Sequence, residues 1–94
     1  MKKQRLANEQ TLQKIEPLLE DLRRFEGLKE KRQGVFFLGK KEFIHFHELP
    51  EVIVADVFLA SGRVRLPVTD RTEQLDLLDR IWDSAERSEN RRKR

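Results

Sequence analysis

The chain has 94 residues, a formal net charge of +3 and no cysteine. A chain of this length can bury one hydrophobic core, so we expect a single domain over residues 1–94. Leu, Ile, Val and Phe make up 29 residues, which excludes a disordered protein. The absence of cysteine excludes disulfides and thiolate metal sites. The opening MKKQRLANEQ does not resemble a secretory signal, and no apolar run is long enough to cross a membrane. We therefore expect a small cytoplasmic protein without membrane contact.

The basic charge is concentrated at the two ends of the chain. Residues 1–5 carry a net +3 and residues 87–94 a net +4, whereas residues 6–86 carry a net −4. We expect flexible basic tails at 1–8 and 88–94. The second tail offers four cations for non-specific contact with polyanions: Arg91, Arg92, Lys93 and Arg94. The acidic body argues against a dedicated nucleic-acid surface, so nucleic acid is not an expected partner beyond the tails.

Two segments have the spacing of amphipathic helices. The first has apolar residues three and four positions apart: Leu12, Ile15, Leu19 and Leu22. Pro17 either kinks this helix or marks its start, and Gly27 ends it, although the charged residues 28–32 could carry another turn. The second helix begins at a capping-box-like pair, Asp70 and Glu73. Its expected buried face consists of Leu75, Leu78, Trp82 and Ala85.

Between these helices the apolar period changes to two, which predicts strands. Residues 35–38 and 42–47 flank Gly39-Lys40, and a glycine in the first position favours a type II′ hairpin turn. Residues 48–51 are expected to form a loop, because Pro50 ends the strand.

A second hairpin joins residues 52–60 and 63–68 through a two-residue turn at Ser61-Gly62. This turn pairs apolar residues on one face: Leu59 with Val64, Val57 with Leu66 and Ala55 with Val68. On the opposite face it pairs Phe58 with Arg65.

The order of elements predicts an α+β fold. A four-stranded antiparallel meander is flanked by an N-terminal and a C-terminal helix (α-β-β-β-β-α), which gives a two-layer sandwich. The apolar face of the second hairpin meets the helices: Ile53, Ala55, Val57, Leu59, Val64, Leu66 and Val68. The other face of the sheet is then open to a ligand or partner.

The only two histidines, His45 and His47, alternate on one strand. Their side chains therefore lie on one face, roughly 6–7 Å apart along the strand, a spacing that suits two ligands of one Zn, Fe or Mn ion. Asp56 on the next strand is a candidate third ligand, and Glu48 and Glu51 are alternatives. The structural alternative is a pair of half-buried polar histidines bonded to their neighbours.

Asp56 lies between strongly apolar flanks and needs a partner if its face is covered. Arg63 and Arg65 lie on the adjoining strand and the same face, so a cross-strand ion pair is the simplest interpretation. The functional alternative is a shallow polar pocket around Phe58 in which the arginines hold a small anionic ligand. That pocket would include His45, His47, Asp56, Arg63 and Arg65.

The stretch GVFFLGKKEFIHFHELPEVIVADVFL resembles a small bacterial and fungal family of luciferase-like domains of unknown function. The shared pattern is an acidic-leucine helix, here EPLLEDLRRFEGL, then a hairpin ending in His-x-His and an apolar strand that contains an Asp. The resemblance covers roughly residues 15–60 and implies an α+β fold with a site at His45, His47 and Asp56. The chain differs in its longer His-to-Asp connection and in lacking a second His-containing segment. The resemblance implies no established reaction.

Two functions from different classes follow from these patterns. The first is a small, non-catalytic binding module whose open sheet face binds a protein partner or a small anionic ligand, as a monomer or as a homodimer. The second is a metal-binding protein or metal-assisted enzyme that holds a divalent metal as its cofactor at His45, His47 and Asp56. The sequence has no P-loop or GxGxxG, and its three serines lie away from both histidines, so we favour a protein that is not an enzyme.

Overall fold

The computed structural model describes residues 5–92, with side chains described for residues 7–84. Within that range the chain forms six strands and three helices. Their bounds are β1 (Arg5–Leu6), α1 (Glu9–Lys14), α2 (Glu16–Arg23), β2 (Leu28–Arg32), β3 (Val35–Leu38), β4 (Lys41–Leu49), β5 (Val52–Leu59), β6 (Gly62–Pro67) and α3 (Arg71–Arg92). All strand pairs are antiparallel, and helices both precede and follow the meander, so the predicted α+β class is confirmed.

The sheet has more strands than the four that the sequence predicted. Its order is β2-β3-β4-β5-β6, and the short β1 pairs with β4. The additional edge strand is β2, formed by the charged segment that we expected at most to prolong the first helix. It pairs with β3 from Leu28↔Leu38 to Arg32↔Val35. The hydrophobic alternation of β2 is weak, because an edge strand can have Lys and Arg on both faces. Backbone pairing with β3, and not a hydrophobic pattern, therefore fixes its position.

The first predicted helix is two helices. Asn8 caps α1 by accepting a hydrogen bond from the Thr11 amide (2.9 Å). The chain breaks at Ile15, and Pro17 lies in the first turn of α2, where its missing amide hydrogen costs nothing. Of the two alternatives that Pro17 left open, the structure therefore has a new helix start, one residue earlier than the proline.

The core lies between the helices and one face of the sheet. The hairpin residues predicted to face the helices do so: Ile53, Ala55, Val57 and Val68 are buried, and Leu59, Val64 and Leu66 pack half-buried against them. The remaining buried core residues are Leu12, Ile15, Leu18, Leu19, Leu22, Phe36, Ile44, Phe46, Leu77 and Ile81.

The final helix begins as predicted but packs through a different face. Asp70 Oδ1 accepts from the Glu73 amide (2.9 Å), and Glu73 Oε1 accepts from the Asp70 amide (3.3 Å), which is a capping box. The predicted buried stripe is wrong. Leu77 and Ile81 are buried, Leu78 is half-buried, and Leu75 and Trp82 are exposed. The side chain of Ala85 lies outside the described residues.

Two overlapping apolar stripes explain this error. The packed stripe lies one residue earlier than the predicted one, which corresponds to a rotation of about 100° around the helix axis. The predicted stripe has four apolar residues, whereas only Leu77 and Ile81 are apolar in the packed one, so periodicity favoured the wrong stripe. Trp82, 59% exposed, contacts Phe25 instead of the core, with ring centroids 5.9 Å apart.

The second hairpin turns one residue earlier than expected. The turn residues are Ala60 and Ser61, so Leu59 pairs with Gly62 and Asp56 pairs with Arg65. The predicted pairs are thus wrong by two residues. A shift of two leaves every side chain on its predicted face, because the side-chain period of a strand is two. The shift nevertheless changes which charges lie directly opposite each other.

The other turns are as short as this one. Gly39 and Lys40 connect Leu38 to Lys41 as predicted, and Gly39 has φ +67°, as the first position of the turn requires. The expected loop at 48–51 is instead a two-residue turn, since Leu49 pairs with Val52. No helix in the described part of the chain combines the length and the apolar character needed to cross a membrane.

Candidate metal centre

Three neighbouring strands place the predicted site residues on the open face of the sheet. His45 of β4 pairs with Asp56 of β5, which pairs with Arg65 of β6. His47 follows two positions along β4, and Arg63 two positions along β6, so alternation keeps both on the same face. The structure therefore brings together all five polar residues that the sequence selected.

Three ligand-type atoms of this cluster converge on one point. The Nε2 atoms of His45 and His47 are 3.1 Å apart. Asp56 Oδ2 lies 3.4 Å from Nε2 of His45 and 3.2 Å from Nε2 of His47. Without an ion, these separations correspond to a polar network of direct hydrogen bonds and ion pairs.

The same separations fit a metal ion. Two ligand atoms bonded to one ion at about 2.1 Å lie about 3.0 Å apart at a right angle and about 3.4 Å apart at the tetrahedral angle. The observed distances span this interval. Two imidazole nitrogens and one carboxylate oxygen are also ligands that Zn, Fe and Mn accept.

Glu42 supports His45 from behind. Its Oε2 contacts Nδ1 of His45, the ring nitrogen that does not face the cluster. A carboxylate on the outer nitrogen of a metal-ligating histidine fixes the ring and its tautomer, leaving Nε2 with its lone pair toward the ion. The sequence did not indicate Glu42, because strict alternation would place Glu42 and His45, three residues apart, on opposite faces.

A β-bulge brings Glu42 to the open face. Phe36 pairs with Ile44, but the next residue, Phe37, pairs with Glu42, so β4 has one extra residue at Phe43. Such a bulge offsets the alternation of the strand that contains it. No residue type in this segment predicts the bulge.

His47 makes its polar interactions through Nε2 alone. Its Nδ1 is buried and has no hydrogen-bond partner among the described residues. The half-buried ring is therefore held by its register and by its edge contact with His45, whose ring centroid lies 4.9 Å away. Both histidines present the same nitrogen to Asp56.

Asp56 is the electrostatic centre of the cluster. It is only 1% exposed, although it lies on the face without helices. Arg65 donates from Nε to Oδ1 (2.7 Å) and from Nη2 to Oδ2 (2.9 Å), and Arg63 adds a longer contact of 3.4 Å to Oδ2. The predicted cross-strand ion pair is thus present. The hydrogen bonds from Arg65 lower the pKa of Asp56 to about 2, and the carboxylate in turn raises the pKa of Arg65.

A groove of about 650 Å³ opens beside the cluster on the same face. It is lined by Leu38, Lys41, Glu42, Phe43, His45, Phe58 and Arg63. The guanidinium of Arg63 lies 5.7 Å from the centre of the Phe58 ring. Of the polar residues predicted to surround Phe58, His45 and Arg63 line this groove. His47, Asp56 and Arg65 do not line it, and the sequence did not indicate Leu38 and Lys41.

The other candidate ligands do not join the cluster. Glu48 pairs with Ile53, which faces the helices, and Glu51 lies exposed in the turn after β4. Among the described residues, the group that could hold an ion is His45, His47 and Asp56. The cations predicted to contact polyanions lie outside the residues with described side chains: Arg91, Arg92, Lys93 and Arg94. Residues 5–8 of the tail expected at 1–8 form β1 and the cap of α1, and residues 88–92 of the tail expected at 88–94 continue α3. The flexibility of both tails stays a prediction.

Comparison with protein-family models, with curated proteins and with solved structures finds no match for this chain. These comparisons do not bear on the resemblance to luciferase-like domains, which stays a prediction. The function must therefore be argued from the geometry of the open face.

Proposed function

We propose that this protein binds a divalent transition-metal ion through His45, His47 and Asp56. The observation that carries the proposal is the convergence of two Nε2 atoms and one Oδ2 atom within 3.4 Å of one another. The contact of Glu42 with the outer nitrogen of His45 supports it, because metal-ligating histidines have such partners.

The charge of the cluster suits a cation despite the nearby arginines. Asp56 is ionised at neutral pH. Arg65 can keep its bond to Oδ1 while Oδ2, which also accepts from Arg65 Nη2 (2.9 Å), binds an ion. Three protein ligands also leave at least one coordination position for water or a substrate, which is the arrangement of catalytic zinc and iron sites. Metal-assisted chemistry is therefore compatible with the site, although the proposal itself concerns binding.

Calorimetric titration tests the site directly. The chelator-treated protein is titrated with Zn²⁺, and with Mn²⁺ and anaerobic Fe²⁺ in parallel to identify the preferred ion. We expect one ion per chain, and His45→Gln and His47→Gln each to weaken binding by more than about tenfold. Glu42→Gln, which removes only the support of His45, is expected to weaken binding by about tenfold.

Asp79→Asn is the matched control, because Asp79 is an exposed carboxylate on α3, far from the cluster in the sheet. Its metal affinity should equal that of the unmodified protein. Circular dichroism of every variant separates loss of the site from loss of the fold. Thermal unfolding gives a second readout, since an ion at about 100 times its Kd raises the free energy of unfolding by about 2.7 kcal/mol. Failure of all three ions to bind, or unchanged binding by both histidine variants, refutes the proposal.

A further inference from the structure

We infer that the groove beside the candidate metal centre binds an organic anion with an apolar body, the simplest class being a carboxylate on an aromatic or aliphatic chain. The inference rests on the proposed metal site and names the class of ligand that reaches it. It combines three properties of the groove: apolar walls, an excess of positive charge, and a boundary shared with the metal ligands.

The walls of the groove include two large apolar side chains that are exposed to solvent. Phe58 is 43% exposed and Leu38 is 51% exposed, with the half-buried Phe43 between β3 and β5. Large apolar residues grouped on an otherwise polar face indicate a binding surface. An aromatic or aliphatic body laid against them removes this surface from water, at about 25 cal/mol for each Å².

The polar lining favours an anion over a neutral or cationic ligand. Lys41 and Arg63 are both exposed at the groove, whereas the acid that lines it, Glu42, is engaged by His45. Arg63 is held by its contacts with the Phe58 ring and Asp56, so its guanidinium is oriented before a ligand arrives. An oriented guanidinium recognises a carboxylate by paired hydrogen bonds.

The groove and the metal site share His45 and Arg63. His45 lines the groove and directs Nε2 toward the metal position, and Arg63 lines the groove and contacts Asp56. A ligand whose body lies on Phe58 therefore has its acidic group beside His45 and Arg63, where the groove meets the proposed metal site. The ion adds two positive charges at this end, which further favours an anion.

The test uses the zinc-loaded protein and 4-phenylbutyrate, followed by two-dimensional NMR. Acetate lacks the apolar body and 4-phenylbutyramide lacks the charge. We expect shifts at Phe58 and its neighbours with 4-phenylbutyrate, and affinity at least about tenfold weaker for either comparison compound. We also expect Arg63→Ala to lower the 4-phenylbutyrate affinity by about tenfold and the amide affinity little.

Arg80→Ala is the matched control, because Arg80 is an exposed arginine on α3 that pairs with Asp76. It should bind 4-phenylbutyrate like the unmodified protein. Phe58→Leu is a second variant, in case Arg63→Ala disturbs β6, and it keeps an apolar wall. We expect it to weaken the binding of 4-phenylbutyrate more than the binding of acetate.

The inference is overturned if the amide binds as tightly as the acid, if Arg63→Ala has no effect, or if removal of zinc leaves the 4-phenylbutyrate affinity unchanged. Failure of the metal site itself is seen separately, in the zinc titration that precedes the ligand titration. Zinc binding without any preference for the acid removes the ligand class and leaves the metal site standing.

Discussion

The two faces of β4, β5 and β6 are built from alternate residues of the same strands, yet they bury different chemistry. On the covered face, Phe46 and Ala55 pack under the helices in an apolar core. On the open face, Asp56 is as inaccessible as Ala55, with no helix above it. Its cover consists of the side chains of His45, His47 and Arg65 themselves. Residues on the covered face are buried because the helices pack on the sheet. On the open face, Asp56 is buried by the side chains of its own polar network.

This difference separates stability from binding. Apolar burial on the covered face stabilises the fold without any requirement for orientation. A buried carboxylate on the open face must be desolvated and then compensated by the arginines, so the network contributes little net stability while it fixes the geometry of the ligand atoms. We therefore expect the covered face to dominate unfolding and the open face to dominate binding.

Phe46→Ala should give the largest loss of stability. Phe46 is fully packed in the core, so truncation removes apolar contacts and leaves a cavity, at a cost of about 3–5 kcal/mol. Phe58→Ala makes the same substitution on the open face, where the ring is partly in water, and should cost less than about 1 kcal/mol. Urea unfolding at neutral pH measures both. Equal losses for the two variants would contradict the proposed division between the faces.

Asp56→Asn should give the next largest effect. The substitution removes the negative charge that Arg63 and Arg65 contact. We expect a loss of about 2–3 kcal/mol, below the full value for a buried pair because Arg65 can reach water. The control is Asp76→Asn, which breaks the exposed pair with Arg80 and should cost less than about 0.5 kcal/mol. If Asp56→Asn lowered the free energy of unfolding no more than Asp76→Asn, the polar network on the open face would not stabilise the fold.

The same carboxylate predicts a pH dependence. Arg65 lowers the pKa of Asp56 from 3.8 to about 2 in the folded protein. Because the folded pKa is the lower one, the stabilisation is complete above pH 4 and is lost as the pH falls toward 2, by about 2 kcal/mol. The measurement is the free energy of unfolding between pH 6 and pH 2, for the unmodified protein and Asp56→Asn. The Asp56→Asn variant should lack this part of the decrease in unfolding free energy at acid pH. Parallel pH dependences for the two proteins would contradict the assignment of this decrease to Asp56.

Sequence periodicity was sufficient for most of what positions the site. Alternation placed His45, His47 and Asp56 on one face, and Gly39 and Pro50 marked turns that the structure contains. These features depend on local rules, because the direction of a side chain follows from its position along the strand.

The features that the sequence did not predict depend on pairing between elements. The bulge that brings Glu42 to His45 exists only because β3 and β4 pair out of step. The strand β2 exists because β3 offers an edge to it. The packed face of α3, with Leu77 and Ile81 buried, is set by contact with the core and differs from the face with the most apolar residues. Each of these follows from a non-local contact that has no signature in the residues alone.

The register of the last hairpin gives the smallest and most specific prediction. The sequence placed Arg65 opposite Phe58, whereas the structure places it opposite Asp56 and leaves Arg63 beside Phe58. Arg65 makes two hydrogen bonds to the carboxylate, at 2.7 and 2.9 Å, and Arg63 makes one at 3.4 Å.

Arg65→Ala should therefore cost about 1–2 kcal/mol and Arg63→Ala less than about 0.5 kcal/mol in urea unfolding. A double-mutant cycle with Asp56→Asn isolates the pairwise interaction and should give a larger coupling for Arg65 than for Arg63. The sequence-based pairing would place Pro67 opposite Asp56, so equally small couplings for Arg65 and Arg63 would contradict the observed register. Arg63 also lines the groove. Because its contact with Asp56 contributes little to the free energy of unfolding, its guanidinium is available to a ligand.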